Sequence, residues 1–402
     1  MLNVLILIVT VTVASYLAFS KRLGSSASWQ ATVTPLASIM GSGFLISAPL
    51  LAGTVGYLAF FCMAALLLLA YGVGHIIRFN IRHFEPIENN GHGAAQDIAF
   101  LARVVLAGAY FISVAYYLQL LAAFLLSLIN KPDPTIANLI TTTLLLTIGG
   151  IGMWRGLGKL EKLESYAVSL NLGMIAALLV ALGIYNIKLL SGGAWQIPAI
   201  PTTINLHDTR ILLGLLIVVQ GFETSRYLGD EHGPELRIRT MRAAQLISSV
   251  IYLVFIALMT VLFHSGLNAD VTAIINLTRP VAAVLPVLLA IAAIGSQFSA
   301  AVADNLGAGG LLEDVTHHKL PVRYAYLIIL IITVTLTWET DVNSIIAYAS
   351  RAFALFYFLQ SLVAVLVVIQ DHSVPQRSVK LILFPVIALL CLLVFAFGLP
   401  AE

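Results

Sequence analysis

Twelve apolar runs, most of them about 20 residues or longer, fill nearly the whole chain, and nothing else in the sequence constrains the fold as tightly. A helix of roughly 20 apolar residues matches the hydrocarbon thickness of a bilayer. The runs fall at about 2–20, 30–52, 54–78, 97–129, 135–153, 163–186, 210–228, 241–264, 281–313, 322–337, 342–370 and 381–399. Of the 402 residues, 60% are apolar and only 10% charged, giving a mean hydropathy of +0.98. A soluble domain runs about 45–50% apolar and about 25% charged. A water-soluble molecule of this composition would lack the charge its outside requires. With 21 Lys and Arg against 19 Asp and Glu, the net charge of +2 offers no basic field for nucleic acid. The two cysteines, Cys62 and Cys391, lie inside apolar runs and form no disulfide framework. The expected fold class is an all-α polytopic membrane protein with about twelve transmembrane helices.

Basic residues set the expected orientation. The first run starts at Leu2 with no basic residue ahead of it, and Lys21 and Arg22 follow it. That polarity is the reverse of a signal peptide, so the run reads as a retained helix. With twelve spans the connections alternate sides, and sixteen of the Lys and Arg residues gather on one side. Lys131, Lys188, Arg210 and Arg279 are alone on the other, and Arg351 lies within a span. The basic side is expected to be cytoplasmic, with both termini extracytoplasmic in the plasma (inner) membrane. One miscounted helix, with a cytoplasmic N-terminus, is the alternative. The longest connections, 79–96, 187–209 and 265–280, are too short for a core of their own.

The layout repeats. Spans starting near 30, 54, 97, 135 and 163 match spans starting near 210, 241, 281, 322 and 342, with a long third span in each set. Five helices is an odd number, so the second set inserts upside down, giving a five-plus-five inverted repeat. The expected division is an extra N-terminal helix (1–22), a first repeat (30–190), a second, inverted repeat (208–371) and a C-terminal helix (378–402). Folds of this kind bind their cargo mid-membrane, where the first helix of each repeat is broken. Both first helices carry candidate breaks: Gly41-Ser42-Gly43 in one and Gln220-Gly221-Phe222-Glu223 in the other. Each interior glycine weakens a helix by about 1 kcal/mol relative to alanine. Close helix packing through small residues is the alternative use of the same glycines.

These segments resemble a known family. Gly41-Ser42-Gly43-Phe44 is similar to the glycine signature in the first helix of the amino acid–polyamine–organocation superfamily. Gln220-Gly221-Phe222-Glu223, followed by Glu231-His232-Gly233-Pro234-Glu235-Leu236-Arg237, resembles that superfamily's sixth helix and the loop after it. The stretch Leu311 to Pro321 sits where those permeases leave their eighth helix. The resemblance covers about 30–370. The extra N-terminal helix is instead similar to the sodium:solute symporter family, which shares the five-plus-five fold, and Ala292 to Ala300 loosely resembles that family's ion-site stretch. The resemblance implies broken helices 1 and 6, alternating access, and a substrate site at Ser38, Gly41, Ser42, Gly43, Gln220, Gly221, Phe222 and Glu223. Tyr110, Ser113 and Tyr117 share one face of the third helix, which lines the central cavity in this fold. An aromatic stripe of ordinary packing is the alternative there.

Charges within a membrane span are costly and mark function by default. Glu223 and Asp304 are the acidic candidates for ion coupling, joined by Ser296 and Ser299 as the hydroxyls that a sodium site in this fold would use, and by Asn171, a polar residue that cannot titrate in the helix where some proton-coupled amino acid permeases carry a lysine. Gln297 lies seven residues before Asp304, on the same helix face. Arg351 is expected either as a gate or as a snorkelling side chain. The histidines show no metal-ligand spacing, so no metal site is expected, and no cofactor beyond a coupling proton or sodium ion. No phosphate-binding glycine loop precedes a Lys-Ser/Thr pair. The function expected is a secondary active transporter for a small organic solute, foremost an amino acid, with proton coupling slightly favoured. The alternatives are a membrane-embedded enzyme or sensor on the same scaffold, or an uncoupled exchanger. The partners implied are a small-molecule substrate and the lipid bilayer, with no nucleic acid and no oligomeric state indicated.

Overall fold

The computed structural model describes residues 2–88, 93–129, 131–198, 200, 204–229, 231–264, 267 and 270–401, without the side chains of residues 42, 155 and 158–165. The described residues form helices and connections, with no strand. In chain order the helices are α1 (Leu2–Phe19), α2 (Lys21–Gly24), α3 (Ala27–Val55), α4 (Ala59–His83), α5 (Ala94–Leu128), α6 (Pro134–Arg155) and α7 (Gly158–Ser191). They continue as α8 (Leu206–Gly214), α9 (Pro234–Met259), α10 (Ala273–Thr278), α11 (Leu285–Val315), α12 (Val322–Glu339), α13 (Val342–Gln370) and α14 (Arg377–Phe397). Among the described residues, 10 segments are long and apolar enough to cross a membrane, and one of them, Ala27–His83, holds both α3 and α4. The interrupted stretch from Leu206 to Tyr227 completes the twelve crossings that the apolar runs predict.

Local signals explain several of the helix ends. Asp133 caps α6 by accepting from Thr135 N at 2.8 Å and Ile136 N at 3.1 Å, with Pro134 at the first helical position. Asp341 caps α13 in the same way through Asn343 N and Ser344 N, both at 2.9 Å. Asn205 and Asp208 make a reciprocal capping box at the start of α8. Apolar side chains on the outer faces are exposed, among them Leu68 and Ile382, as a lipid environment allows.

The centre is built from α3, α5, α11, α13 and the interrupted stretch 206–227, with α9 behind α3. Helices α1 and α14 sit outside it, α1 against α7 and α14 against α13. Gly173 permits the α1–α7 seam, because a Cβ there would stand 2.8 Å from the Thr10 carbonyl oxygen. The third spans are long as expected, α5 with 35 residues and α11 with 31, but α7 with 34 is just as long.

One expectation fails. Helix α3 runs without interruption through Gly41 and Gly43, so the first of the two expected breaks is absent. The reason is close approach. A Cβ at Gly43 would collide with the backbone and side chain of Val218, and one at Gly41 would stand 3.2 Å from Ser296 Oγ. The two glycines let α3 press against the interrupted stretch and against α11 while keeping its own hydrogen bonds, the packing use of small residues.

The second break is present. Helix α8 ends at Gly214 and a 3₁₀ turn follows over Leu216–Val219. Gln220 is extended (ψ 175°), Gly221 takes φ 113°, and a second 3₁₀ segment runs over Phe222–Tyr227. Only glycine enters that φ region freely.

Candidate functional site

A broken helix in an apolar medium exposes backbone groups that must find partners. Here side chains from two helices and from the stretch itself supply them. Ser350 Oγ on α13 accepts from Ile217 N at 2.9 Å. The Tyr252 hydroxyl on α9 donates to the Val218 carbonyl and lies 3.1 Å from the Ile39 carbonyl oxygen of α3, tying the broken stretch to the intact helix. Glu223 folds back on its own turn, so that its Oε2 accepts from Gly221 N at 3.0 Å. The same oxygen accepts from the Tyr357 hydroxyl of α13 at 2.8 Å. Gly221 faces α3 so closely that a Cβ there would lie 2.5 Å from Ser38 Oγ.

The expected site residues converge around this turn. Tyr117 on α5 accepts from Gln220 Nε2 at 3.2 Å. Ser113, one turn away, donates to Asp304 Oδ2 on α11. Tyr110 and Tyr117 lie within electrostatic range of both Asp304 and Glu223. Phe222 stacks on Tyr357, with ring centroids 5.4 Å apart. On the neighbouring face of α11, Ser296 accepts from Asn171 Nδ2 of α7 at 3.2 Å, and Gln297 Nε2 donates to the Gly41 carbonyl at 2.9 Å. Ser299 is buried on the same helix. Ser38 is half-buried on α3. The Ser42 side chain lies outside the described residues.

Burial makes the cluster chemically pointed. Glu223 is 1% exposed and Gln297 5%, so each polar atom there needs a partner. Among the described residues, Glu223 Oε1, Gln297 Oε1 and Asn305 Oδ1 are buried acceptors with no hydrogen-bond donor. Three such oxygens in the central helices suit a cationic or hydrogen-bond-donating guest.

Arg351 stands apart from this cluster. Its Nε donates to the Phe395 carbonyl at 2.7 Å, which places it on the seam between α13 and α14. Three groups that shape the site escape a reading of the sequence. Tyr357, Tyr252 and Ser350 are polar residues in apolar helices, and only their partners reveal a role. A mid-span hydroxyl or amide with no obvious neighbour was the one available signal.

A second network closes the basic side of the site. Arg226, at the end of the broken stretch, pairs with Glu88 at 3.1 Å and donates to Gln360 Oε1 of α13. Asn80 Nδ2 of α4 donates to the same Gln360 oxygen at 2.9 Å. Arg237 of α9 pairs with Glu85 at 2.6 Å and donates to the Arg226 carbonyl at 2.7 Å. Both guanidinium groups are buried. The network binds the connection after α4 to the broken stretch, α9 and α13.

Comparison with known proteins agrees with this architecture. A family model described as an APC superfamily transporter matches residues 21–398. A protein of Aquifex aeolicus (strain VF5), described as uncharacterized, is 43% identical over 371 residues, covering 90% of each chain. Among solved structures, a mutant of the manganese transporter of Eremococcus coleocola aligns with a TM-score of 0.57 at 12% identity, over 92% of this chain and 87% of that one. The same transporter in complex with an aromatic bis-isothiourea substituted compound aligns at 0.59 and 13% identity, over 91% and 85%. Identities this low speak for the fold alone. The family match spans nearly the whole chain, and this integral membrane protein belongs to the APC superfamily of transporters.

Proposed function

We propose that this transporter carries a small organic solute with an amino group, an amino acid or a close relative, by alternating access within a five-plus-five inverted repeat. Coupling is to protons in preference to sodium. The observation that carries the reading is the buried acceptor oxygen left open on Glu223 at the break at Gly221, with further open acceptors on Gln297 and Asn305 of the central helix α11. An ammonium group supplies the donors those oxygens lack. The α3 backbone N–H groups are engaged in their own helix, so they are not the carboxylate-binding surface that a broken first helix would offer. Glu223 and Asp304 are titratable groups within the central cluster, which supports proton over sodium coupling. Ser296, the first hydroxyl a sodium site would draw on, is engaged with Asn171. The protein sits in the plasma (inner) membrane with its basic side cytoplasmic and both termini outside.

The names of the structural neighbours favour a second reading, a divalent metal as cargo. A hard divalent ion such as manganese is held by carboxylate, carbonyl and water oxygens. Among the described residues, no group of three or more His, Cys, Asp or Glu side chains could hold one.

The test is uptake by purified protein in proteoliposomes, preceded by a thermal-shift panel of amino acids, amines and Mn²⁺. A stabilising amine-bearing ligand should be taken up under an inward pH gradient, and Glu223→Gln should abolish the pH dependence. Stabilisation and uptake of Mn²⁺ alone would establish the metal reading instead. Uptake driven by sodium alone, untouched by Glu223→Gln and lost in Ser296→Ala, would overturn proton coupling.

A further inference from the structure

A cavity of about 780 Å³ opens between α4, α9 and α14 at their shared basic ends, away from the central cluster. Five of its lining side chains are cations: Arg78, Arg82, Arg239, Arg242 and Lys380. Glu235 is the lining carboxylate, and it is already engaged, bound by Arg82 at 2.7 and 2.9 Å. Asp371 lies close by, near His83, and accepts from Ser373. Arg78 donates to the amide oxygen of Gln245, Arg239 donates to Ser28 Oγ at 3.0 Å, and Lys380 donates to the Pro375 carbonyl. None of these partners carries charge, so the cavity holds a concentrated positive excess.

Arg78 is positioned for such a role. It is 6% exposed, and its guanidinium lies 5.0 Å from the centre of the Tyr71 ring. Gln245 holds it from the other side and anchors itself to the Ala70 carbonyl at 2.9 Å. The missing side chain of Gly74 makes the room, since a Cβ there would collide with the Gln245 amide. A buried arginine fixed by a neutral amide, with Arg242 as a neighbouring charge, is costly unless an anion compensates it.

We propose that this cavity binds a phosphate-bearing anion, either the headgroup of an anionic phospholipid or a soluble phosphate. Arginine forks suit phosphate oxygens, and basic pockets between helices on the basic side of membrane proteins take anionic headgroups. The outer faces of α9 and α14 continue from the cavity as exposed apolar surface, through Leu246 and Val250 on one and Ile382 and Val386 on the other, where acyl chains can lie.

The experiment is native mass spectrometry of the full-length protein, extracted from bilayers of equal phosphatidylglycerol and phosphatidylcholine. Expected is at least tenfold preferential retention of phosphatidylglycerol, reduced tenfold or more in Arg239→Gln/Arg242→Gln and kept in Lys319→Gln/Arg323→Gln, an equal charge change outside the cavity. A parallel arm adds inorganic phosphate at millimolar concentration to protein in phosphatidylcholine and follows its melting temperature. A rise there, lost in the double variant, assigns the site to a soluble anion. Arg239 and Arg242 are exposed, and melting of each variant, with Arg242→Gln alone as the milder change, establishes that it is folded. Equal retention of both lipids together with no effect of phosphate would overturn the proposal. So would anion binding that survives both substitutions in folded protein.

Discussion

At the scale of single residues, the centre depends on glycines of two different kinds. Gly221 is required by its backbone, since φ 113° is a conformation that costs an L-residue roughly 1–2 kcal/mol. A side chain there would also strike Ser38. Gly221→Ala is therefore expected to cut uptake at least tenfold and to lower the melting temperature, whereas Gly24→Ala, in open space, should change neither. Gly43 is required by its neighbour, because α3 meets the Val218 backbone there. Gly43→Leu should push α3 off the broken stretch and abolish uptake. Normal uptake in that variant would mean that the contact is dispensable. The sequence makes both glycines visible but does not say which one unwinds. Mid-helix glycines serve packing and breaking alike, and the distinction lies in what stands opposite.

At the scale of elements, the broken stretch 215–227 persists because its freed backbone groups are adopted by neighbours. Tyr252 serves the Val218 carbonyl and reaches the Ile39 carbonyl, Ser350 serves Ile217 N, and Glu223 serves Gly221 N. Removing a donor from a buried acceptor costs about 1–3 kcal/mol. Tyr252→Phe is expected to lower the melting temperature and reduce uptake while leaving the protein in the membrane. Ser350→Ala should do the same to a similar degree. If Tyr252→Phe melts and transports like the parent, the hydroxyl is not what holds the break open. Hydropathy marks 210–228 as one more span, and only the partner side chains from α9 and α13 explain why it does not close into a helix.

At the scale of the whole molecule, the ion pairs Arg226–Glu88 and Arg237–Glu85 fasten the broken stretch to the connection after α4. Breaking a buried pair by removing one partner typically costs about 3–5 kcal/mol, because a charge is left uncompensated. Glu88 and Glu85 are partly exposed, so a smaller effect belongs here, with water screening what remains. Glu88→Ala is expected to shift the population toward a state open on the basic side. A single cysteine at Ser225 would then react faster with a thiol reagent applied to that side, and an unchanged rate would show that the network is not a closure. The same scale carries the orientation. With Cys62 and Cys391 replaced by alanine, a cysteine at Pro132 should label from outside intact cells and one at Glu235 should not. The opposite pattern would invert the topology.

The chain's own pattern determined the class and number of the helices. Apolar runs of membrane length and a skewed distribution of Lys and Arg are properties of composition, and burial in lipid acts on each run separately. The location of the candidate site was half legible, since the motif around Gly221 and the hydroxyl face of α5 both fall at the centre. What only the tertiary structure decided is the fate of polar groups whose partners are distant in sequence. Gln297 meeting Gly41, Tyr357 meeting Glu223 and Gln245 holding Arg78 are contacts across 100 residues or more. In an apolar medium a buried donor or acceptor is stable only once matched. The match is made by packing, which no local run of residues encodes.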